Sequence, residues 1–259
     1  LEFKKQNKNQ HKQRISVCIP SGEALVMCHV WKEPNGVYDS IGFWIDGPEK
    51  IFPNLLEVCV LGGEPFVQKD TFRLIKEVSR VNKSCDWSFT TNCNWKLTPK
   101  FKNTLDLIRI KTISASIDSL MPDVYSRIRK CGNLRMALQT VDDLVDYRSD
   151  RISRGLCDMD ICMRMVIRAD NYHEVPEFID YATQRGIYPD FSFQREPPTS
   201  DGLIGCPQEV RLDALNFLQD CLARKGAVSL GPILDELRAC ISDNDSRHSQ
   251  KIDLLGKIA

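Results

Sequence analysis

The chain has 259 residues, 42% hydrophobic and 27% charged, with a formal net charge of zero. This composition suits one large globular domain, or one with an appendage, and gives no global electrostatic reason to expect a nucleic-acid partner. No apolar run reaches the roughly 18 residues that a spanning helix needs, and no secretory signal pattern is present, so no membrane association is expected. Residues 1–14, LEFKKQNKNQHKQR, are basic with almost nothing to bury, and read as a flexible arm. The chain opens on Leu1, which reads as a fragment. The eleven cysteines are scattered, with no CxxC pair, so neither a zinc ribbon nor a disulfide scaffold is expected. Most sit in apolar runs, where Cys acts as a small hydrophobe, and a reducing, cytoplasmic location follows.

In chain order, the strand patterns are ISVCIP (15–20), LLEVCVLGG (55–63), DWSFTTN (86–92), TISASIDS (112–119), DICMRMVIR (160–168) and DFSFQRE (190–196). Helical patterns alternate with them. KDTFRLIKEVSRVN places Phe72, Ile75 and Val78 on one face. DVYSRIRK leads into NLRMALQTVDDLVDYRSD, with apolar residues at 134, 138, 141 and 144. HEVPEFIDYATQRG ends at Gly186, a capping choice. Two more helical stretches come after residue 200, and 242–251 reads as a linker.

Six β-α units imply a parallel sheet with right-handed crossovers, and near-continuous apolar strands suggest burial on both faces. No GxGxxG comes after the first strand, so a dinucleotide fold loses its main support. Polar and glycine-rich punctuation gathers at strand ends, where a barrel places its chemistry: GGEP, TTN, SIDS, RADN, QRE. The expectation is an α/β fold, a partial (β/α)6 TIM-type barrel over 15–200 with a helical C-terminal extension at 201–259.

LGGEPF (61–66) is the sharpest motif. Two glycines let the backbone approach a ligand, Glu64 adds a carboxylate, and Pro65 starts the next helix. A carbonyl-and-carboxylate lip of this kind suits an ammonium group; a generic β-α turn explains the same residues. With TTN (90–92), SASIDS (114–119), YSRIR (125–129) and MRMVIRADN succeeding it in order, the chain resembles the radical SAM superfamily over roughly residues 15–200.

The resemblance implies S-adenosylmethionine (SAM) and a [4Fe-4S] cluster as cofactors. Gly62, Gly63 and Glu64 would hold the methionyl amino group, with Thr91 and Asn92 near the ligand. Ser116 and Asp118 would reach its carboxylate or ribose. Arg129 would meet the carboxylate, whose geometry a guanidinium matches. Val166 would flank the adenine, and Met27 would touch it beside Cys28, the one cysteine in the expected cluster loop. The family's C-x3-C-x2-C pattern falls on Ser21, Leu25 and Cys28, so two of three thiolates are missing. Cys206, Cys221 and Cys240 read as isolated thiols in helical context.

Three functions are compatible with these residues. The first is a radical enzyme acting on a peptide or small metabolite, with an electron-donor protein as partner. The second is a pseudoenzyme that keeps SAM binding and serves as a regulatory or interaction partner. The third, ranked last, is a non-radical barrel enzyme using Glu64, Asp118 or His173 for acid–base work.

Overall fold

The computed structural model describes residues 13–18, 41–61, 63–193, 202–226 and 228–241. Six strands lie in chain order across one sheet: β1 Gln13–Cys18, β2 Leu55–Leu61, β3 Asp86–Thr91, β4 Arg109–Ser116, β5 Asp160–Ile167 and β6 Tyr188–Phe193. The pairings β1·β2, β2·β3 and β3·β4 are parallel. The helices are α1 Ile41–Asp46, α2 Lys69–Val81, α3 Pro99–Leu105, α4 Pro122–Ile128, α5 Leu134–Ser153, α6 Val175–Gln184, α7 Gln208–Lys225 and α8 at 231–241. From β2 onward at least one helix separates successive strands, as crossovers between parallel neighbours require. The order begins at β1 and ends at β6, so the sheet is open. No helix among the described residues is long and apolar enough to cross a membrane.

The chain divides into two compact units. One runs to Ile117 and takes in Tyr125–Met163; the other holds Asp118–Val124 and everything from Arg164. In the first unit the strands alternate, contrary to the expectation of burial on both faces. Val58, Val60, Trp87, Phe89, Ile113 and Ala115 are buried on one face. Cys59, Ser88, Thr90 and Thr112 on the other face are half-buried, and register aligns Cys59 with Ser88, Ser88 with Thr112, and Thr90 with Ser114. Ser114 is buried, and its hydroxyl has no hydrogen-bond partner among the described residues. β4 starts at Arg109, three residues before the apolar pattern suggests. Its charged entry is held by neighbouring strands: Arg109 pairs with Asp86 at 3.2 Å and Lys111 with Glu57 at 3.4 Å.

Helix α5 buries Ala137, Thr140, Val141, Leu144, Tyr147 and Arg151. Leu134 and Leu138, expected on that face, are only half-buried. The real stripe keeps helical spacing but contains polar residues that an apolar count passes over. Arg151, 1% exposed, donates to the carbonyls of Leu105 (3.1 Å), Ile108 (3.2 Å) and Cys157 (3.4 Å). Tyr147 donates to Asp106 at 2.6 Å, and Arg154 adds a two-pronged ion pair at 2.7 and 3.1 Å.

Burial alone would push the Asp106 carboxyl up, but hydrogen bonds from Arg154 and Tyr147 and the charges of Arg154 and Arg151 together hold it below its usual range. A depressed carboxyl stabilises the fold above its unfolded pKa of about 4, and that contribution is lost as pH falls through the folded value. Asp106→Asn is therefore expected to lower the urea midpoint at pH 7, with the gap to wild type closing below pH of about 4. A gap that stays constant down to pH of about 2 would count against this role.

In the second unit, α6 packs its Phe178 against Phe191 of β6, ring centroids 5.7 Å apart, and Lys225 of α7 pairs with Asp180 of α6 at 2.6 Å. Arg211 of α7 donates to the carbonyl of Cys240 in α8 at 3.1 Å. The two helical stretches expected after residue 200 are thus α7 and α8.

Candidate functional site

Strand β2 ends at Leu61, and the chain turns into α2 through Gly63, Glu64 and a 3-10 turn at Pro65–Val67. Gly63 has φ 54°, a left-handed conformation that a side chain would strain. Glu64 is 3% exposed, and its carboxylate points into the protein. It accepts from the backbone N–H of Phe66 (3.2 Å) and Asn92 (2.7 Å) and from the Thr91 hydroxyl (2.8 Å). Thr91 Oγ1 in turn accepts from the Cys93 N–H (3.0 Å) and the Trp95 indole N–H (2.8 Å), which leaves its one proton for Glu64. The carboxylate thus clamps the end of β2 to the end of β3.

Cys93 comes next with φ 60°, rare for a residue with a Cβ. Burial, and next the charge of Glu64, push its thiol well above the ordinary range; the Thr91 hydrogen bond and Arg129 oppose this less strongly. Cys93 is therefore an inert thiol with Glu64 and Arg129 both within electrostatic reach. Arg129 sits just past the last residue of α4, is 4% exposed, and donates from Nη2 to Ser116 Oγ at 2.7 Å. In the first unit, Glu64, Thr91 and Asn92 thus gather at the ends of β2 and β3, while Ser116 and Arg129 form a pair at the end of β4.

Asp118 and Val166 belong to the second unit. Asp118 is fully buried and accepts from the Val166 N–H at 2.9 Å, while its carbonyl accepts from the Asn171 amide at 2.7 Å. Glu174 accepts from Ser119 Oγ (2.8 Å) and the Leu120 N–H (2.7 Å), fixing the approach to α4. The Val166 side chain is half-buried; His173 is exposed beside the Tyr172 ring. Met27, Cys28 and Gly62, with Ser21 and Leu25, lie outside the described residues. Among the described residues no group of three or more His, Cys, Asp or Glu is placed to hold a metal ion.

Sequence reasoning stopped at Asn92 and passed over Asn94. Asn94 donates its backbone N–H to Asn92 Oδ1 (2.8 Å) and its amide to Tyr125 OH (2.9 Å), and accepts from the Asn133 N–H. The Asn-x-Asn spacing in TNCN was the available signal, since Asn side chains bond the backbone two residues on.

No family model matches the chain. A GTP 3',8-cyclase of Marinobacter nauticus (strain ATCC 700491 / DSM 11845 / VT8) is 30% identical over 159 residues, covering 59% of this chain and 44% of that protein. Native anSMEcpe, solved with bound AdoMet and the Cp18Cys peptide, matches with a TM-score of 0.55 at 13% identity, over 80% of this chain and 58% of that one. The radical S-adenosylmethionine methyltransferase TsrM from Kitasatospora setae, solved with cobalamin and a [4Fe-4S] cluster, gives 0.51 at 11% identity, over 70% and 34%. The chain belongs to the radical SAM superfamily. The open α/β sheet is accordingly the partial TIM-type barrel of radical SAM proteins. This radical SAM chain spans less than half the length of the first curated relatives it matches.

Proposed function

We propose that the chain is the SAM-binding core of a radical SAM enzyme acting on a peptide or a small polar metabolite. The observation that carries this reading is the buried Arg129, held on Ser116 at the end of β4 and within electrostatic reach of the β3 turn. A buried guanidinium beside a polar strand end suits the carboxylate of an amino acid. The Gly62–Gly63 backbone, shaped by the left-handed Gly63, would receive the amino group. Glu64 and Thr91 would position this turn through their bonds to the backbone of Phe66, Asn92 and Cys93. When bound, SAM and a reduced [4Fe-4S] cluster would supply the radical chemistry, and the residues named here would bind and orient the amino-acid end of SAM. Residues 15–200 would form the catalytic core and 201–259 its extension, in a cytoplasmic protein served by an electron donor. The relatives act on GTP, as their name states, and anSMEcpe was solved with a peptide, so both substrate classes support the proposal without separating them.

A second reading, a SAM-binding protein without a cluster, is favoured by Ser21 and Leu25 at two of three cluster positions.

Calorimetric titration with SAM tests the pocket. Arg129→Met is expected to weaken binding about 10- to 100-fold, the worth of a charge-assisted hydrogen bond of about 1.5–3 kcal/mol. Wild-type protein that takes up no SAM would sink both readings. Electron paramagnetic resonance of anaerobically reconstituted, dithionite-reduced protein separates them. A [4Fe-4S]+ signal that SAM perturbs supports the enzyme; SAM binding with no such signal supports the second reading.

A further inference from the structure

Helices α2 and α3 leave an open groove between them, backed by Phe66 and Trp95 of the Glu64–Thr91 clamp, with a volume of about 750 Å³. That is the size of a small-molecule site. Its walls are aromatic. Phe72 of α2 stacks on Phe101 of α3 at 4.7 Å, and behind them Phe66 and Trp95 lie 4.3 Å apart.

The rim is cationic. Lys69, Arg73 and Lys76 reach it from α2, Lys96 and Lys100 from the other side. Among the described residues none of these five pairs with a carboxylate. Arg73 instead lies 4.0 Å over the Trp44 ring. The one acid in the lining, Glu77, pairs with Arg80 at 3.4 Å. Exposed lysines on helices are ordinarily solvated and mean little, but here five cations without an acidic partner among the described residues line one apolar hollow in a chain whose net charge is zero.

The polar groups at the base of the lining are partly engaged by the protein itself. The Trp95 N–H goes to Thr91, Thr98 Oγ1 accepts from the Phe101 N–H, and Thr104 Oγ1 donates to the Lys100 carbonyl. The aromatic walls therefore offer surface for an apolar ring, and the charged donors sit on exposed residues of the lining rather than among the aromatic side chains.

We propose that this groove binds a planar hydrocarbon anion: an aromatic body seated on Phe72, Phe101 and Trp95, with a carboxylate, sulfonate or phosphate at the lysine rim. The proposal does not rest on SAM binding, and, among the described residues, none of the proposed SAM contacts Gly63, Ser116 and Arg129 lines the groove.

Anilinonaphthalene sulfonate is the probe, its fluorescence titrated against the intact chain. One saturable site is expected. The double variant Lys69→Glu/Lys100→Glu, at exposed positions, is expected to weaken it about tenfold with the melting temperature and circular dichroism unchanged. Phe72→Ala, at a half-buried position, tests the aromatic wall and is expected to weaken it similarly. Binding that neither variant alters overturns the proposal, because the dye is then lodged elsewhere. Displacement of the dye by AMP overturns the hydrocarbon assignment, since a nucleobase would then be accepted; failure of AMP to compete supports it.

Discussion

Glu64→Ala is expected to destabilise the first unit by about 3–5 kcal/mol, because it strands the Phe66 and Asn92 N–H groups and the Thr91 hydroxyl in a buried place. The loss spreads further, since Thr91 is itself the acceptor for Cys93 and Trp95. Glu64→Gln is the sharper test. It keeps the shape, but its amide turns two N–H donors toward a cluster of donors, so a loss of about 1.5–3 kcal/mol is expected with nothing removed in volume. Urea denaturation of both variants measures this. If Glu64→Gln matches wild type, the carboxylate is not a clamp between β2 and β3, and its role would lie with a ligand.

Arg151→Met is expected to cost a comparable amount, about 3–5 kcal/mol, by taking the guanidinium donor from the carbonyls of Ile108 and Cys157, one of two donors from Leu105, and an ion-pair partner from Asp106. Methionine fills much of the same space, so the loss is one of hydrogen bonding and not of packing. Arg151→Lys keeps the charge but not the planar fork, and one ammonium cannot serve three diverging carbonyls; about half the loss should remain. The urea midpoint should fall in both variants with the slope unchanged. An unchanged midpoint in Arg151→Met would mean that α5 is held by its apolar stripe alone.

The order of strands and helices was legible because strand ends carry glycine and polar punctuation while crossover helices carry helical periodicity. GGEP, TTN and SIDS stand at the ends of β2, β3 and β4, where they were expected. What the carboxylates do there was not legible. An acid at a strand end looks the same whether it faces a ligand or ties down its own backbone, and Glu64 and Asp118 both bond N–H groups of neighbouring segments. Arg151 was missed for a related reason. A charged residue reads as solvated until a long-range partner is known, and its acceptors at Leu105 and Ile108 lie more than forty residues away. The alternation of β2 to β4 was obscured because Thr on the half-buried face carries strand propensity of its own and Cys59 reads as a small hydrophobe.

The Ser114 hydroxyl has a consequence of a different kind. Among the described residues it has no hydrogen-bond partner, and a buried hydroxyl so placed costs a fold about 1–3 kcal/mol, a large share of a typical domain's margin. Alanine at that position would keep the strand and shed the cost. The sheet is therefore not the most stable sheet that this backbone can carry. Stability foregone on the row that Ser114 shares with Thr90 is the signature of a surface shaped by a second requirement besides folding.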